Sequence, residues 1–241
     1  MNQLSEMSWE QVKEYLAQDD RVILPLGATE QHGRHLGLGT DAIEAEAIAM
    51  RVAETTNVAV APTLNYGMSH ALLNFPGTIS LRPTTLIAVI DDVLRALHRH
   101  GFRRVLVVNG HGGNTASLTS AVQMVTQDLT DLRIKLFEWW TDQESVKVMI
   151  EKLGPQQGTH ASPGETAFML AVRPSAVHLD RLTGHDAPVM PSRELTTVNT
   201  FPQKYPDGIM GLDPRKATRE AGEAILAKSV EICARELEDW K

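Results

Sequence analysis

Within LPLGATEQHGRHLGLGTD at positions 24–41, four side chains able to bind a metal or move a proton stand inside a dozen positions: Glu30, His32, His35 and Asp41. Carboxylates and imidazoles are the ligand types that suit Zn²⁺, Mn²⁺ or Fe²⁺. Glu30 and His32 share a parity, so an extended segment turns both to one side. Asp41, nine positions beyond His32, can bridge two ions held by these neighbours. A pair of ions about 3.5–4 Å apart shares and acidifies one water, giving hydroxide at neutral pH. The plainer alternative is a solvated polar loop in which Asp41 caps a helix.

A second group is Asn109-Gly110-His111-Gly112-Gly113-Asn114. Glycines on both sides of His111 permit positive φ and a close backbone approach to a ligand. One imidazole without bulky neighbours suits a metal ligand or a general base; a glycine-rich turn with an incidental histidine is the alternative. An oxyanion-hole loop of HGG type would need a G-x-S-x-G elbow, which the chain lacks. The third group is HASPGET at 160–166, where His160 can act as general acid/base and Glu165 as a ligand or as support for one. Alternatively, Glu165 complements a helix dipole and His160 lies on a surface loop.

Other matches are weaker. Gly37-Leu38-Gly39-Thr40-Asp41-Ala42 fits G-x-G-x-x-A, but nine residues separate it from Gly27, where a dinucleotide fingerprint follows its strand at once. His98 and His100 read as dipole partners at a helix end, and His178 and His185 as structural.

These groups must be positioned by the elements around them. Val22–Leu26 reads as a buried strand, so the first cluster falls at a strand's carboxyl end, where open α/β sheets bind ligands. Ser8 and Gln11 form a capping box opening a helix to Leu16, and a strand follows over 21–28. A helix over 41–55 has Ile43, Ala47, Ile48 and Val52 on one face, and 58–61 is a second strand. An irregular loop covers 62–77. A strongly amphipathic helix spans 84–100, with Gly101 as its C′ glycine. Strand 104–109 breaks into the His111 loop and helix 115–129; strand 134–139, a helix from Glu165 to Val172 and a final helix over 217–237 complete the reading. The pair Trp139-Trp140 ends a strand, placing one indole to line a pocket. Residues 184–215 read as a long covering loop. This alternation predicts a three-layer α/β/α sandwich with a mostly parallel central sheet, one domain over 1–241.

The net charge of −7 and sparse aromatics argue against nucleic acid or an anionic membrane as partner. The sole cysteine, Cys233, allows no intrachain disulfide and reads as a small buried hydrophobe. No apolar stretch follows a basic start, and no run nears the roughly 20 residues a membrane helix needs. The expected location is cytoplasmic and the expected partner a small-molecule substrate.

Taken together, PLGATEQHG at 25–33, GLGTD at 37–41, FPGTISL at 75–81, VLVVNGHGGN at 105–114, HAxxxET at 160–166 and GIMGLDPRKATREAG at 208–222 resemble the creatininase (creatinine amidohydrolase) family, in its order and over most of the chain. The resemblance implies an α/β/α fold, a homo-oligomer such as a hexamer, and two divalent ions, Zn²⁺ or Mn²⁺ with Fe²⁺ also compatible. It implies ligands at Glu30, His32, Asp41 and His111, with Asp41 bridging, and a catalytic histidine at His160. Two departures qualify it. Creatininase carries a metal-binding Glu where this chain has Gly113, which leaves Glu165 as replacement carboxylate or the second ion more weakly held. Creatininase also uses tryptophans near its catalytic histidine to enclose the creatinine ring, and 154–159 contains none, so creatinine is not the expected substrate.

The function expected is metal-dependent hydrolysis of a C–N amide bond in a small polar substrate, cyclic or not. His160 would shuttle the proton, and the N–H groups of Gly112 and Gly113 would stabilise the oxyanion. Hydrolytic C–C opening of a keto-inositol is the enzymatic alternative. A non-catalytic binding protein or a nucleotide-dependent oxidoreductase on the same fold are the alternatives from another class.

Overall fold

The computed structural model describes residues 2–155, 157–183 and 196–240. Four short apolar segments form its central sheet: β1 (Arg21–Leu26), β2 (Ala59–Val60), β3 (Arg104–Asn109) and β4 (Arg133–Phe137). Their order is β2-β1-β3-β4, and all the pairings are parallel. Parallel pairing needs crossovers, and these are helices on both faces of the sheet.

Alternation along the strands sorts side chains between two cores. Val22, Leu24 and Leu26 of β1 and Val105 and Val107 of β3 face one side. There they pack on α1 (Trp9–Leu16), α3 (Pro83–His100) and α4 (Thr115–Asp128). Ile23, Leu106 and Val108 face the other side, against α2 (Thr40–Thr56), α5 (Gln143–Leu153), α6 (Pro163–Val172) and α8 (Arg219–Glu238). Each fully buried Leu or Ile contributes about 1.5–3 kcal/mol, so the two cores dominate the stability of the fold. The expected three-layer α/β/α arrangement is the one observed.

Local signals act as their chemistry requires. Ser8 and Gln11 make both bonds of the capping box, and Gly101 ends α3 at φ +116°, where a Cβ is strained. Several details differ from the sequence reading. Helix α5 was not anticipated; it starts at Asp142, whose carboxylate accepts from the N–H groups of Glu144 and Ser145. Strand β4 stops at Phe137, so Trp139 and Trp140 lie in the turn beyond it. The fully buried stripe of α2 runs through Asp41, Glu44, Ala45, Ile48 and Val52, while Ile43 and Ala47 are only partly buried. Of the expected loop over 184–215, residues 184–195, with His185, lie outside the described residues. The remainder carries α7 (Thr200–Lys204) and β6 (Met210–Gly211), which pairs antiparallel with β5 (Gly158–His160). Among the described residues no helix is long and apolar enough to cross a membrane. Cys233 is buried in α8, and burial pushes its thiol pKa up, as expected of an inert core cysteine.

Candidate metal centre

Register brings the first two motifs together. Leu26 pairs with Asn109, so the loops after β1 and β3 leave the sheet side by side. The first turn of α2 drops between them. A Cβ at Gly27 would overlap the backbone of Ala42, and one at Gly110 the carbonyl of Asp41. Glycine at both positions is what lets Asp41 sit between the Glu30 and His111 loops.

The result is a compact cluster. Glu30, His32 and Asp41 are buried, and His111 is nearly so. Asp41 Oδ1 lies 3.0 Å from His32 Nε2, and its Oδ2 lies 3.3 Å from His111 Nδ1. Glu30 Oε2 is 3.2 Å from His111 Nε2, and Oε1 is 3.4 Å from His160 Nδ1. Glu165 Oε1 is 3.6 Å from His32 Nε2.

Backbone carbonyls orient both loop imidazoles. His32 Nδ1 lies 3.3 Å from the carbonyl of Glu30, which turns its Nε2 lone pair to the centre. The carbonyl of Met68 lies 3.0 Å from His111 Nε2, which turns Nδ1 toward Asp41. Such outer bonds set the tautomer of a metal-binding histidine.

These residues fit divalent ions. Three groups of donors lie close enough for one ion each: Glu30 with Asp41 and His111, His32 with Asp41 and Glu165, and Glu30 with His32 and His160; Asp41 belongs to the first two. Glu30 Oε1 and Oε2, His32 Nε2 and Asp41 Oδ2 are buried without a hydrogen-bond partner. Buried carboxylate oxygens in that state are costly unless a cation completes them. Nitrogen and oxygen donors of this kind suit Zn²⁺ and Mn²⁺.

The electrostatics agree. Burial opposes charge on His32, yet Asp41 and Glu165 outweigh it and raise the His32 pKa well above the ordinary value. His111 is likewise raised, by Glu30 and Asp41 against burial. Protons are thus drawn to the places where cations would stand. Burial tends to raise the Glu165 pKa, but the neighbouring His32 and the N–H of Ser162 bring it down to about 2. His160 behaves oppositely: burial and the charge of His32 lower its pKa to about 4, keeping it neutral at pH 7.

The third motif closes the cluster from the other side. His160, at the end of β5, is buried rather than on a surface loop, and its Nε2 lies 2.8 Å from the carbonyl of Gln31. Glu165 does two things at once. Its Oε2 accepts from the N–H of Ser162 in a capping box, while Oε1 faces His32. Gly112 and Gly113 begin a single 3-10 turn leading into α4, and both line a chamber beside the centre.

Two further residues, Gln31 and Glu44, were not singled out from sequence, and His35, which was, joins none of the donor groups among the described residues. The Gln31 amide accepts from Gly33 N–H at 2.8 Å, donates to the Gly208 carbonyl at 3.0 Å and lies 2.8 Å from His160 Nε2. His35 Nε2 donates to Thr166 Oγ1 at 2.9 Å, since that hydroxyl's proton is used on the carbonyl of Ser162. Glu44 is buried one helical turn after Asp41 and accepts from Trp139 Nε1 at 3.1 Å; burial and the nearby Glu165 and Asp41 raise its pKa well above the usual range. The one legible signal was for Glu44, an acid three positions after Asp41 on the same face of α2.

A family model described as creatinine amidohydrolase matches residues 5–237. The chain belongs to the creatininase family. It is 31% identical over 252 residues to the creatinine amidohydrolase of Pseudomonas putida, covering 98% of this chain and 94% of that protein. It is 33% identical over 230 residues to the mycofactocin precursor peptide peptidase of Mycolicibacterium smegmatis, covering 91% and 85%. Among solved creatininases, a manganese form superposes with TM-score 0.86 at 30% identity, covering 98% of this chain and 97% of that one. A zinc–zinc form of a variant gives 0.86 at 29%, with the same coverage. Like its relatives in the creatininase family, the protein is a divalent-metal-dependent hydrolase of amidohydrolase type, and its donor set fits the ions those structures hold.

Proposed function

We propose that the protein hydrolyses a C–N amide bond of a small polar substrate. Glu30, Asp41 and His111 would hold one divalent ion, and His32, Asp41 and Glu165 the other. Asp41 carries this reading, because its two oxygens face His32 at 3.0 Å and His111 at 3.3 Å, so one carboxylate serves both donor sets. Bound ions supply Lewis acidity, lowering the pKa of water and polarising a carbonyl.

The chain's own groups do the rest. Glu165 stands in for the carboxylate that creatininase carries at the position of Gly113, and Ser162 N–H anchors its second oxygen. His160, neutral at pH 7 with Nδ1 toward the centre, accepts a proton there and returns it to the leaving nitrogen. The N–H groups of Gly112 and Gly113 are the donors for the developing oxyanion. Trp139 and Trp140 wall the chamber and restrict water. The same reading takes residues 1–241 as one domain acting in a homo-oligomer, which light scattering tests.

Elemental analysis of protein purified without chelator is expected to give about two ions per chain, falling toward one in Glu165→Ala. No metal bound, and none taken up from added Zn²⁺ or Mn²⁺, overturns the centre. Turnover of formamides, cyclic amides and a keto-inositol then tests the bond. Ring opening of the keto-inositol without amide cleavage would keep the centre and overturn the C–N assignment.

A further inference from the structure

Two chambers open from the centre in different directions. One, of about 200 Å³, runs under Trp139 and Trp140 and has Thr159, Ser162 and Glu165 among its polar lining. The other, of about 340 Å³, is walled chiefly by Met68, Ala71, Leu72, Phe201 and Met210. Both are bordered by His111, Gly113 and His160, so they meet at the reacting groups.

Gly113 stands where they meet. A Cβ there would overlap His111 Nε2 and the carbonyl of Met68, so this loop admits only backbone at the junction. Gly112 adds to the opening: a Cβ built on it meets nothing within 4 Å, and any side chain would project into free space. The second chamber is also firmly built. Phe201 and Leu72 are buried in a small cluster with Tyr205, and the Phe201 ring meets His160 edge-on at 6.1 Å.

We propose that the substrate is an open-chain amide of about dipeptide size whose apolar arm occupies the Phe201 chamber. The proposal rests on the amide-hydrolase reading above and narrows its substrate. A trans amide sends its acyl and amine substituents in opposite directions from a planar unit. Held with its carbonyl at the centre, it needs room on two sides, which is what the chambers supply. A small cyclic amide is cis, keeps both substituents in one ring and leaves the apolar chamber unfilled. Binding sites are mostly apolar with few placed polar groups, and the Phe201 chamber fits that pattern, with Ser69, His70 and Thr196 as its polar residues beyond those of the centre.

The test uses zinc-reconstituted protein with Gly-Gly, Gly-Leu, Leu-Gly and the cyclic dipeptide of glycine and leucine. At least one leucine dipeptide is expected to exceed Gly-Gly by roughly tenfold or more in kcat/KM, and the cyclic form to be inert. Phe201→Ala should narrow that ratio; Phe201→Leu, which keeps the cluster filled, covers a failure of the first variant to fold. Calorimetry with the non-hydrolysable CH₂–NH analogues gives a second readout, with the leucine analogue expected to bind the more tightly by a similar factor. Equal handling of leucine and glycine substrates, or cleavage of the cyclic amide alone, overturns this inference and leaves the hydrolase reading standing. If no amide is cleaved by the metal-loaded protein, the amide reading falls. Calorimetry then judges the chamber alone: tighter binding of the leucine analogue supports it, and equal binding overturns it.

Discussion

Leu26 and Asn109, which launch the Glu30 and His111 loops, are buried and paired in adjacent strands of a four-stranded sheet. His160, across the cluster, ends a three-residue strand paired, among the described residues, with Met210–Gly211 alone. The first half of the centre is therefore held by strand register and two hydrophobic cores. The second half adds side-chain hydrogen bonds to the packing of α6 on the core: Thr166 with His35, Gln31 with His160, Ser162 with Glu165. The candidate ligands are concentrated in the rigid half, while the proton-handling histidine sits in the half tethered by polar contacts. Separate anchoring lets metal retention and turnover be perturbed independently.

The largest effect is expected from Asp41→Ala, since Asp41 belongs to both donor sets. Ion content should fall toward zero and turnover to background; retention of one ion would show that Asp41 does not bridge. Next is His160→Ala. It should lower kcat by roughly 10²–10⁴-fold with the ion count unchanged, and equal loss of metal would make His160 a ligand instead.

A smaller effect is set by pH. In metal-stripped protein the folded-state pKa values of His32 and His111 are raised. Their contribution is complete below the ordinary histidine value of about 6.5 and is lost as pH rises through the folded values. Stripped protein should therefore lose Tm from about pH 6.5 upward. The loaded protein should not, because cations replace the protons; parallel curves would contradict this account.

The smallest is Thr166→Val, aimed at the tether between the halves. It removes the acceptor of His35 Nε2 and leaves that buried donor unpaired, at a cost of about 1–3 kcal/mol in urea unfolding. Turnover should drop further than ion content. The reverse would place the Glu165 helix under the control of the rigid half.

Much of this was legible in the residues because it depends on local rules. Continuous apolar runs marked β1 and β3, Ser8 with Gln11 marked the start of α1, and Gly101 marked the end of α3. Glu30, His32, Asp41, His111, His160 and Glu165 are types whose chemistry is visible wherever they occur. Helix α5 was missed because it lies on the surface, with Val148 and Met149 only partly buried, so its apolar stripe is thin. Gln31 was passed over because an amide has no charge and no metal preference, and its contacts come from positions 177 and 129 residues away.

The sequence by itself determined the donor types, the strand-and-helix alternation and the family. Each follows from neighbouring residues or from short spacings. Only the tertiary structure decided that Asp41 lies between His32 and His111, that Glu165 turns one oxygen to its own helix cap and the other to His32, and that Gly113 borders both chambers. Those outcomes depend on strand register and on helix α2 docking between Gly27 and Gly110. They are contacts between distant segments, set by close packing of the whole core rather than by any local preference.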